Sequence, residues 1–224
     1  QPRSEGKDTI TGHWELAGLE LIPGFHLFPH GPPSFPPELV QEFERRTGRP
    51  VIGNCAASGT QIIEQLGEEH MRTGAWIAYT SADSVFQLAA HVDVIPLAEL
   101  YQGCEVARAL CDPYRVGRVI ARPFRGTPGA FERTVDRRDY AFQPDEPTVL
   151  ERLKAAGIPV FGVGKIEDIF AGRGLTASVH SGSTEASQEA LIKFTRKTPC
   201  GFLFANFIDF DMLYGHRRDA DGYA

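Results

Sequence analysis

Residues 159–165, PVFGVGK, form a short apolar run that glycine and lysine close, and this run decides the fold class. A helix is predicted before it at 148–156, and a second helix is predicted after it at 184–195. The apolar run 201–208 then predicts another strand. Short apolar strands that alternate with helices are typical of a parallel sheet covered on both faces. The sequence therefore predicts an α/β fold in this part of the chain.

The region from about 25 to 143 follows a different pattern and is predicted to be mixed α+β, without internal repeats. Pro, Gly and Phe dominate residues 23–37, which indicates a linker. The other elements are predicted from apolar periodicity and turn signals: helices at 37–47, 58–67 and 96–110, strands at 51–56, 76–80 and 115–124, and a polar hairpin or loop at 131–141.

The composition of the 224 residues is that of an ordinary globular protein, with 42% hydrophobic and 23% charged residues. A net charge of −6 argues against a general affinity for nucleic acid or for anionic membranes. No apolar run approaches the length of a membrane span. The four cysteines lack metal-binding or redox spacing, which favours reduced thiols and a cytoplasmic location. Because the chain opens on Gln1 and stops soon after residue 219, we expect both ends to be truncated.

The stretch GKDTITGHWE, residues 6–15, brings a cation, a small acid and two threonines to the start of a predicted helix. A hydroxyl at this position meets unpaired backbone N–H groups and the positive end of the helix dipole. Thr9 is therefore a candidate nucleophile. The local pattern is also compatible with Thr9 as a simple N-cap residue.

The stretch DFDMLYGHRRD, residues 209–219, follows the last predicted strand and contains candidate metal ligands. Asp211 and His216 are five residues apart, and Gly215 permits a turn that brings carboxylate and imidazole round one ion. Oxygen and nitrogen ligands suit Mn²⁺ or Zn²⁺ better than Ca²⁺. The alternative is a solvated loop in which the acids pair with neighbouring arginines. Lys165 and Asp211 would both lie beyond the carboxyl ends of the strands, where ligands bind in such sheets.

These stretches resemble motifs of the bacterial phosphopentomutases, members of the alkaline phosphatase superfamily, whose nucleophile segment is similar to residues 6–15. The resemblance covers essentially the whole chain. It continues in five further strings: YTSADSVFQ (79–87), GRVIARPF (117–124), RxDYA (137–141), GKIxDI (164–169) and DFDxLYGHRR (209–218).

The resemblance implies an α/β fold made of a partial alkaline-phosphatase-like core and an inserted α+β cap domain. Residues 1–24 would be a core segment with the nucleophile helix, 25–143 the cap, and 144–224 a core segment with a partial metal site. By the same resemblance, Thr9 carries the transferable phosphoryl group. Asp211 and His216 would bind one of two Mn²⁺ ions, and that site is incomplete in this chain.

The cap is expected to hold the sugar and its non-reacting phosphate. Arg118 is the predicted phosphate contact, because a guanidinium binds phosphate oxygens through two parallel hydrogen bonds. The sequence pattern alone favours the alternative that Arg118 is a surface arginine on a strand. The remaining substrate-binding residues are expected to be Asp83 and Ser81 at ribose hydroxyls, the backbone near Val85 and Ile120, and Lys165 at a phosphate.

The activity that the resemblance implies is the interconversion of ribose 1-phosphate and ribose 5-phosphate, and of their 2-deoxy forms, through a phosphothreonine and a 1,5-bisphosphate. The expected partner is thus a small pentose phosphate, with no nucleic acid and no membrane. The family's first metal-binding aspartate would precede Gln1, and its Asp-His-Gly segment is not in the sequence. We therefore expect this chain to be inactive alone. Two alternatives are a related metal-dependent phosphomutase or phosphatase, and a non-catalytic phosphosugar-binding cap.

Overall fold

The computed structural model describes residues 1–6, 8–197, 200–215 and 218–223, with the backbone alone at residues 211 and 212. The chain divides into two compact units. The terminal unit combines Gln1–Pro23 with Gln143–Ala224, and the inserted unit is Gly24–Phe142. Among the helices described, none is long and apolar enough to cross a membrane.

The elements alternate between helix and strand through most of the chain. The α-helices are α1 (Thr9–Leu16), α2 (Pro37–Thr47), α3 (Gly59–Thr73), α4 (Leu97–Cys111), α5 (Val149–Ala155), α6 (Ile166–Ile169), α7 (Thr184–Lys197) and α8 (Ala220–Tyr223). The strands are β1 (Val51–Ala56), β2 (Trp76–Thr80), β3 (Val85–His91), β4 (Arg118–Arg125), β5 (Glu132–Arg133), β6 (Arg138–Ala141), β7 (Val160–Val163), β8 (Ala177–Val179) and β9 (Phe202–Ala205). Short 3₁₀ and π-helical segments occupy Asp112–Tyr114 and Phe210–Gly215.

The inserted unit is built on a mixed sheet of six strands, in the order β1-β2-β3-β4-β5, with β6 also paired to β4. Strands β1 and β2 are parallel, as are β3 and β4, whereas β2 and β3 are antiparallel. The residues of 131–141, which were predicted as a polar hairpin or loop, do not form a hairpin. Instead, β5 and β6 each pair antiparallel with β4, at different positions along it.

Helices cover both faces of this mixed sheet. On one face, aromatic and aliphatic side chains of α2 and α4 pack against alternate residues of β2, β3 and β4. On the other face, Ile62 and Ile63 of α3 pack against Ile77, Tyr79 and Phe124. Because successive strand residues point to opposite faces, each central strand supplies both cores. This arrangement is an α/β architecture with a mixed sheet.

Local signals account for the helix boundaries in the inserted unit. Helix α2 begins at a proline, which cannot donate a backbone hydrogen bond, and ends at Gly48, whose φ of 72° is the left-handed conformation that glycine favours. The Ser58 hydroxyl accepts from Gln61 N and caps α3. Helix α3 extends to Thr73, beyond the predicted end at Gly67, before Gly74 terminates it.

The segment before α2 was predicted as a linker, and this prediction is wrong. Phe28 and Phe35 are only 2% and 1% exposed and belong to the core shared with α2 and α4. Asn54 fixes the segment further, because its carbonyl accepts from Ser34 N at 3.0 Å and its side-chain oxygen accepts from Phe35 N at 2.6 Å. Burial of two phenylalanine rings outweighs the preference of the neighbouring prolines and glycines for loops.

The terminal unit contains a three-stranded parallel sheet in the order β8-β7-β9. The predicted strands at 159–163 and 201–208 are both present, although the second is only the four residues of β9. Gly164 follows β7 with a φ of 82°, and a Cβ at this position would overlap the carbonyl of Asn206. Glycine at this position therefore allows the carboxyl ends of β7 and β9 to lie close together.

Candidate functional site

Thr9 is the first residue of α1, and its side chain is exposed. The residue that caps the helix is Asp8. Its Oδ1 accepts from Thr11 N at 3.0 Å, and its Oδ2 accepts from the Thr11 hydroxyl at 2.6 Å. The interpretation of Thr9 as the N-cap is therefore wrong, because a carboxylate one residue earlier takes that role. The Thr9 hydroxyl lies in the first helical turn, where backbone N–H groups favour anions.

Two neighbouring side chains, Trp14 and Glu15, anchor helix α1 in the terminal unit. The buried Trp14 ring donates from Nε1 to the carbonyl of Ile169 at 3.0 Å. Glu15, the next residue, accepts backbone hydrogen bonds from Arg3 at 2.9 Å and from Ser4 at 2.7 Å. Hydrogen bonds from Ser4, followed by the one from Arg3 N, lower the pKa of Glu15. These contacts fix the position of α1, and with it the position of Thr9, within the terminal unit.

His13 contacts Thr9 and was not predicted as a site residue. Its Nδ1 lies 2.7 Å from the Thr9 carbonyl oxygen and 3.4 Å from the Thr9 hydroxyl oxygen. Its Nε2 lies 3.2 Å from Nδ2 of Asn206, the residue that follows β9. Burial lowers the pKa of His13, an effect that the bond to the Thr9 carbonyl opposes. The spacing of four residues between Thr9 and His13, one helical turn, could have indicated this contact from sequence.

The two other predicted core positions lie after strands, as expected for an α/β sheet. Lys165 is exposed, two residues beyond the end of β7, and makes no ion pair with any residue that the structure describes. The backbone of Asp211 lies in the π-helical segment that follows β9. Asp209 of the same stretch has a structural role, because its Oδ2 accepts a hydrogen bond of 2.7 Å from Thr184 N at the start of α7.

The predicted metal ligands are Asp211 and His216, close to the end of the chain. His216 lies outside the described residues, and the side chain of Asp211 is not described. Over 1–6, 8–197, 200–215 and 218–223, no group of three or more His, Cys, Asp and Glu side chains could hold a metal ion. Both ligand assignments stay predictions.

In the inserted unit, the structure brings Arg118 together with Asp83. Arg118 begins β4, and its side chain is 25% exposed. One guanidinium nitrogen lies 3.4 Å from the Asp83 carboxylate, and the other terminal nitrogen lies 3.5 Å from the Asp139 carboxylate. Asp139 also accepts two hydrogen bonds of 2.7 Å from Arg137. Arg118 is thus part of a charged network and is more enclosed than a freely solvated strand residue.

The other predicted cap residues lie along the same part of the mixed sheet. Ser81 and Asp83 form the turn between β2 and β3, where the Ser81 hydroxyl accepts from Asp83 N at 3.5 Å. The Val85 carbonyl accepts from the Thr80 hydroxyl at 2.7 Å, so this carbonyl already has one partner. Ile120 is buried in the middle of β4, opposite Gln87 and Asp139.

A cluster of guanidinium groups extends along the same face of β4. Arg122 lies four residues after Arg118, so the two side chains share a face, and Arg122 Nε donates to Gln87 Oε1 at 3.1 Å. Burial lowers the pKa of Arg122, and the neighbouring Arg137 lowers it further. Sequence reasoning missed this cluster, although the spacing of two arginines by four residues on a strand could have revealed it.

Tyr79 lies beside the guanidinium cluster with its hydroxyl fully buried. Burial raises the pKa of Tyr79, while Arg122, Arg133 and Arg137 act in the opposite direction. Arg122 favours the ionised hydroxyl electrostatically, but no described residue forms a hydrogen bond with the hydroxyl by geometry. The positive charge near Tyr79 is therefore a local cluster on one face of the mixed sheet, within a chain whose net charge is −6.

No family model matches the chain. Among sequences of known proteins, it is 56% identical over 223 residues to a phosphopentomutase of Caldanaerobacter subterraneus subsp. tengcongensis, covering 99% of this chain and 56% of that protein. A phosphopentomutase of Anaeromyxobacter dehalogenans strain 2CP-C gives the same values. A phosphopentomutase of Carboxydothermus hydrogenoformans is 56% identical over 225 residues, again with 99% and 56% coverage.

The chain thus spans a little more than half the length of the relatives that it matches. Within that span the similarity is continuous, because nearly every residue of the chain is aligned. Identity of this extent, over both the terminal and the inserted unit, reflects common ancestry. Over its whole length, the chain is therefore similar to phosphopentomutases.

Proposed function

We propose that this chain carries the nucleophile and the cap of a phosphopentomutase, which interconverts ribose 1-phosphate and ribose 5-phosphate and their 2-deoxy forms. The observation that carries the proposal is 56% identity with phosphopentomutases over 99% of the chain. The exposed Thr9 at the start of α1 supports it, because a phosphorylated residue must reach solvent and substrate.

In this proposal the terminal unit is part of an alkaline-phosphatase-like core, and the inserted unit is its cap. The division of the chain supports the assignment, because residues from both sides of the insertion form one compact unit. The parallel sheet β8-β7-β9 is of the kind expected in such a core. The inserted unit has its own sheet and its own buried cores, as a separate domain requires.

The reaction has two phosphoryl transfers. In the first, the bond between phosphorus and Thr9 Oγ1 breaks as the 5-hydroxyl oxygen of ribose 1-phosphate bonds to phosphorus. The sugar hydroxyl loses its proton and Thr9 regains one, which gives ribose 1,5-bisphosphate. In the second, Thr9 Oγ1 takes the 1-phosphoryl group, and ribose 5-phosphate leaves with a proton on its 1-oxygen. The reverse direction follows the same steps.

The proposed cofactor is Mn²⁺, two ions in the full-length enzyme. Asp211 and His216 would be ligands of one ion, because carboxylate oxygen and imidazole nitrogen suit Mn²⁺. When bound, such ions neutralise phosphoryl oxygens and favour the alkoxide of a hydroxyl nucleophile. We expect Asp211→Asn and His216→Ala to weaken Mn²⁺ binding to this chain, measured by electron paramagnetic resonance of free Mn²⁺. Asp221→Asn, which removes an exposed acid of α8, is the matched control.

The inserted unit would bind the sugar phosphate. Arg118 is the proposed phosphate contact, with Asp83 and Ser81 at ribose hydroxyls and the backbone near Val85 and Ile120 in contact with the ligand. The guanidinium cluster supports this proposal, because a dianionic phosphate is attracted to several arginines on one face. Lys165 would contact a phosphate from the core. The four free cysteines are consistent with the proposed cytoplasmic location.

The test uses a chimeric enzyme in which this chain replaces the matching segment of the Caldanaerobacter phosphopentomutase. We expect the chimera to interconvert the two ribose phosphates and to carry phosphate on Thr9, identified by mass spectrometry. Thr9→Val should remove both turnover and phosphothreonine, whereas Thr9→Ser should retain measurable turnover. An active chimera whose Thr9→Val variant keeps its turnover would exclude Thr9 as the nucleophile.

A further inference from the structure

The side chain of His13 connects the start of α1 to the carboxyl end of β9. Its ring has one nitrogen at the Thr9 carbonyl, 2.7 Å away, and the other at the Asn206 amide, 3.2 Å away. The ring also lies against Phe204 of β9, with centroids 5.7 Å apart. The two ends of this connection are separated by 193 residues in the chain.

The contact with Thr9 determines where His13 carries its proton. A carbonyl oxygen only accepts hydrogen bonds, so Nδ1 at 2.7 Å from it must be the protonated nitrogen. Burial disfavours the doubly protonated ring. Nε2 is therefore the unprotonated nitrogen, which can accept a hydrogen bond from the Asn206 side-chain amide. In this tautomer, both ring nitrogens of His13 have a hydrogen-bond partner.

The other end of the connection is itself fixed. Asn206 N donates to the carbonyl of Val163 at 3.0 Å, which joins it to the end of β7. Gly164 packs so closely against the Asn206 carbonyl that a Cβ would overlap it. His13 thus connects Thr9 to a rigid point on the parallel sheet, on the edge where the carboxyl ends of β7 and β9 meet.

We propose that His13 is a positioning residue for Thr9: in its Nδ1–H tautomer it holds the Thr9 backbone in place relative to the sheet through Asn206. This inference rests on the proposed function only for its catalytic consequence. A misplacement of a reacting group by about 1 Å can reduce a rate by about 100-fold, so such a connection matters for phosphoryl transfer.

A role for His13 as the general base of Thr9 fits the geometry less well. Nδ1 is 3.4 Å from the Thr9 hydroxyl oxygen but only 2.7 Å from the carbonyl oxygen. Its proton is directed to the carbonyl, so this nitrogen has no lone pair available for the hydroxyl proton. Nε2 has its lone pair, but it contacts Asn206 rather than Thr9.

The first experiment uses the 224-residue chain itself and does not depend on activity. Long-range ¹⁵N–¹H NMR spectra of the histidine rings should show His13 as the Nδ1–H tautomer at neutral pH. In Asn206→Leu the His13 Nε2 resonance should move, while that of His30, which lies in the inserted unit, should not. Backbone ¹⁵N relaxation at Thr9 should show increased motion in His13→Phe and in Asn206→Leu. An Nε2–H tautomer, or unchanged Thr9 relaxation in both variants, would overturn the proposal.

The second experiment uses the chimeric enzyme. His13→Phe should lower kcat by about 10- to 100-fold with KM for ribose 1-phosphate nearly unchanged. His13→Asn, which retains a donor near the position of Nδ1, should recover part of that loss. The acid limb of the pH–rate profile should remain in both variants, and its loss would identify a base and refute the positioning role. If the wild-type chimera has no activity, the proposed function fails, and the NMR results still decide the contact.

Discussion

The buried hydroxyl of Tyr79 gives a prediction whose size can be worked out from the structure. The hydroxyl lies next to Gly59, the first residue of α3, where an added Cβ would come within 2.7 Å of it. It has no hydrogen-bond partner among the described residues. A buried polar group without a partner costs about 1–3 kcal/mol relative to one that is satisfied. We therefore expect Tyr79→Phe to raise the free energy of unfolding by about 1 kcal/mol, and the melting temperature by about 2–4 °C.

The companion substitution is Gly59→Ala. In the wild-type background it forces a methyl group against the hydroxyl, and overpacking of this kind costs about 1–3 kcal/mol. In the Tyr79→Phe background the nearest atoms to the new methyl are the ring Cζ at 3.5 Å and Arg133 Cζ at 3.7 Å, which are ordinary contacts. Most of the cost of Gly59→Ala should therefore disappear.

The assay is urea unfolding of the four proteins of this double-mutant cycle, followed by tryptophan fluorescence and far-UV circular dichroism. A coupling free energy of about 1 kcal/mol or more between the two positions is expected. The control is Gly48→Ala, whose new methyl group would have no atom within 4 Å and should show no coupling to Tyr79→Phe. A loss of stability in Tyr79→Phe, or an equal cost of Gly59→Ala in both backgrounds, would refute the reasoning.

Three further predictions follow from individual contacts. Arg118→Met should weaken the binding of ribose 5-phosphate to the chimeric enzyme by about 10- to 100-fold in calorimetry, since a charge-assisted hydrogen bond is worth about 1.5–3 kcal/mol. The control Arg125→Met removes an arginine that pairs with Glu132 at the surface, and it should leave this binding unchanged. Equal effects of the two substitutions would exclude a specific role of Arg118. Burial lowers the pKa of His70, and the neighbouring His91 and Arg49 lower it further. The unfolded state therefore binds more protons than the folded state, so the free energy of unfolding should fall as the pH drops below about 6.5. This fall should be smaller in His70→Asn. Gly164 and Gly172 both have a positive φ, so alanine at either position should cost about 1–2 kcal/mol of backbone strain. Gly164→Ala should destabilise the protein clearly more than Gly172→Ala in urea unfolding, because only the Cβ at position 164 would meet a carbonyl. Equal losses of stability would contradict the close approach.

Local signals were sufficient for several elements. Helix α2 and strands β1 and β2 have the predicted bounds, because proline, glycine and compact apolar runs mark their ends. Strand β3 was missed. All seven of its residues are buried, including Gln87 and His91, so it has neither the alternation of a half-exposed strand nor a continuous apolar run. Burial of its polar side chains depends on partners from other elements, which no local pattern reveals.

The candidate site was predictable only in part. The exposed Thr9 and the proximity of Arg118 to Asp83 agree with what the motifs indicate, while the roles of these residues stay predictions. The N-cap of α1 was misassigned because Asp8 and Thr9 are both good capping residues, and the choice depends on the hydrogen bond to Thr11. The contact of His13 with Asn206 spans 193 residues and has no local signature.

The anchoring of Trp14 to Ile169 has a consequence for the order of events during synthesis. The two residues are 155 positions apart, and the whole inserted unit lies between them. At about 5–20 residues per second, a ribosome needs about 8–30 s to make that length of chain. The inserted unit can complete its cores in that time, before Ile169, whose carbonyl accepts the hydrogen bond from Trp14 Nε1, has been made. The apolar side chains of residues 9–16 therefore wait many seconds for their partners near Ile169, which makes this segment a candidate contact for chaperones.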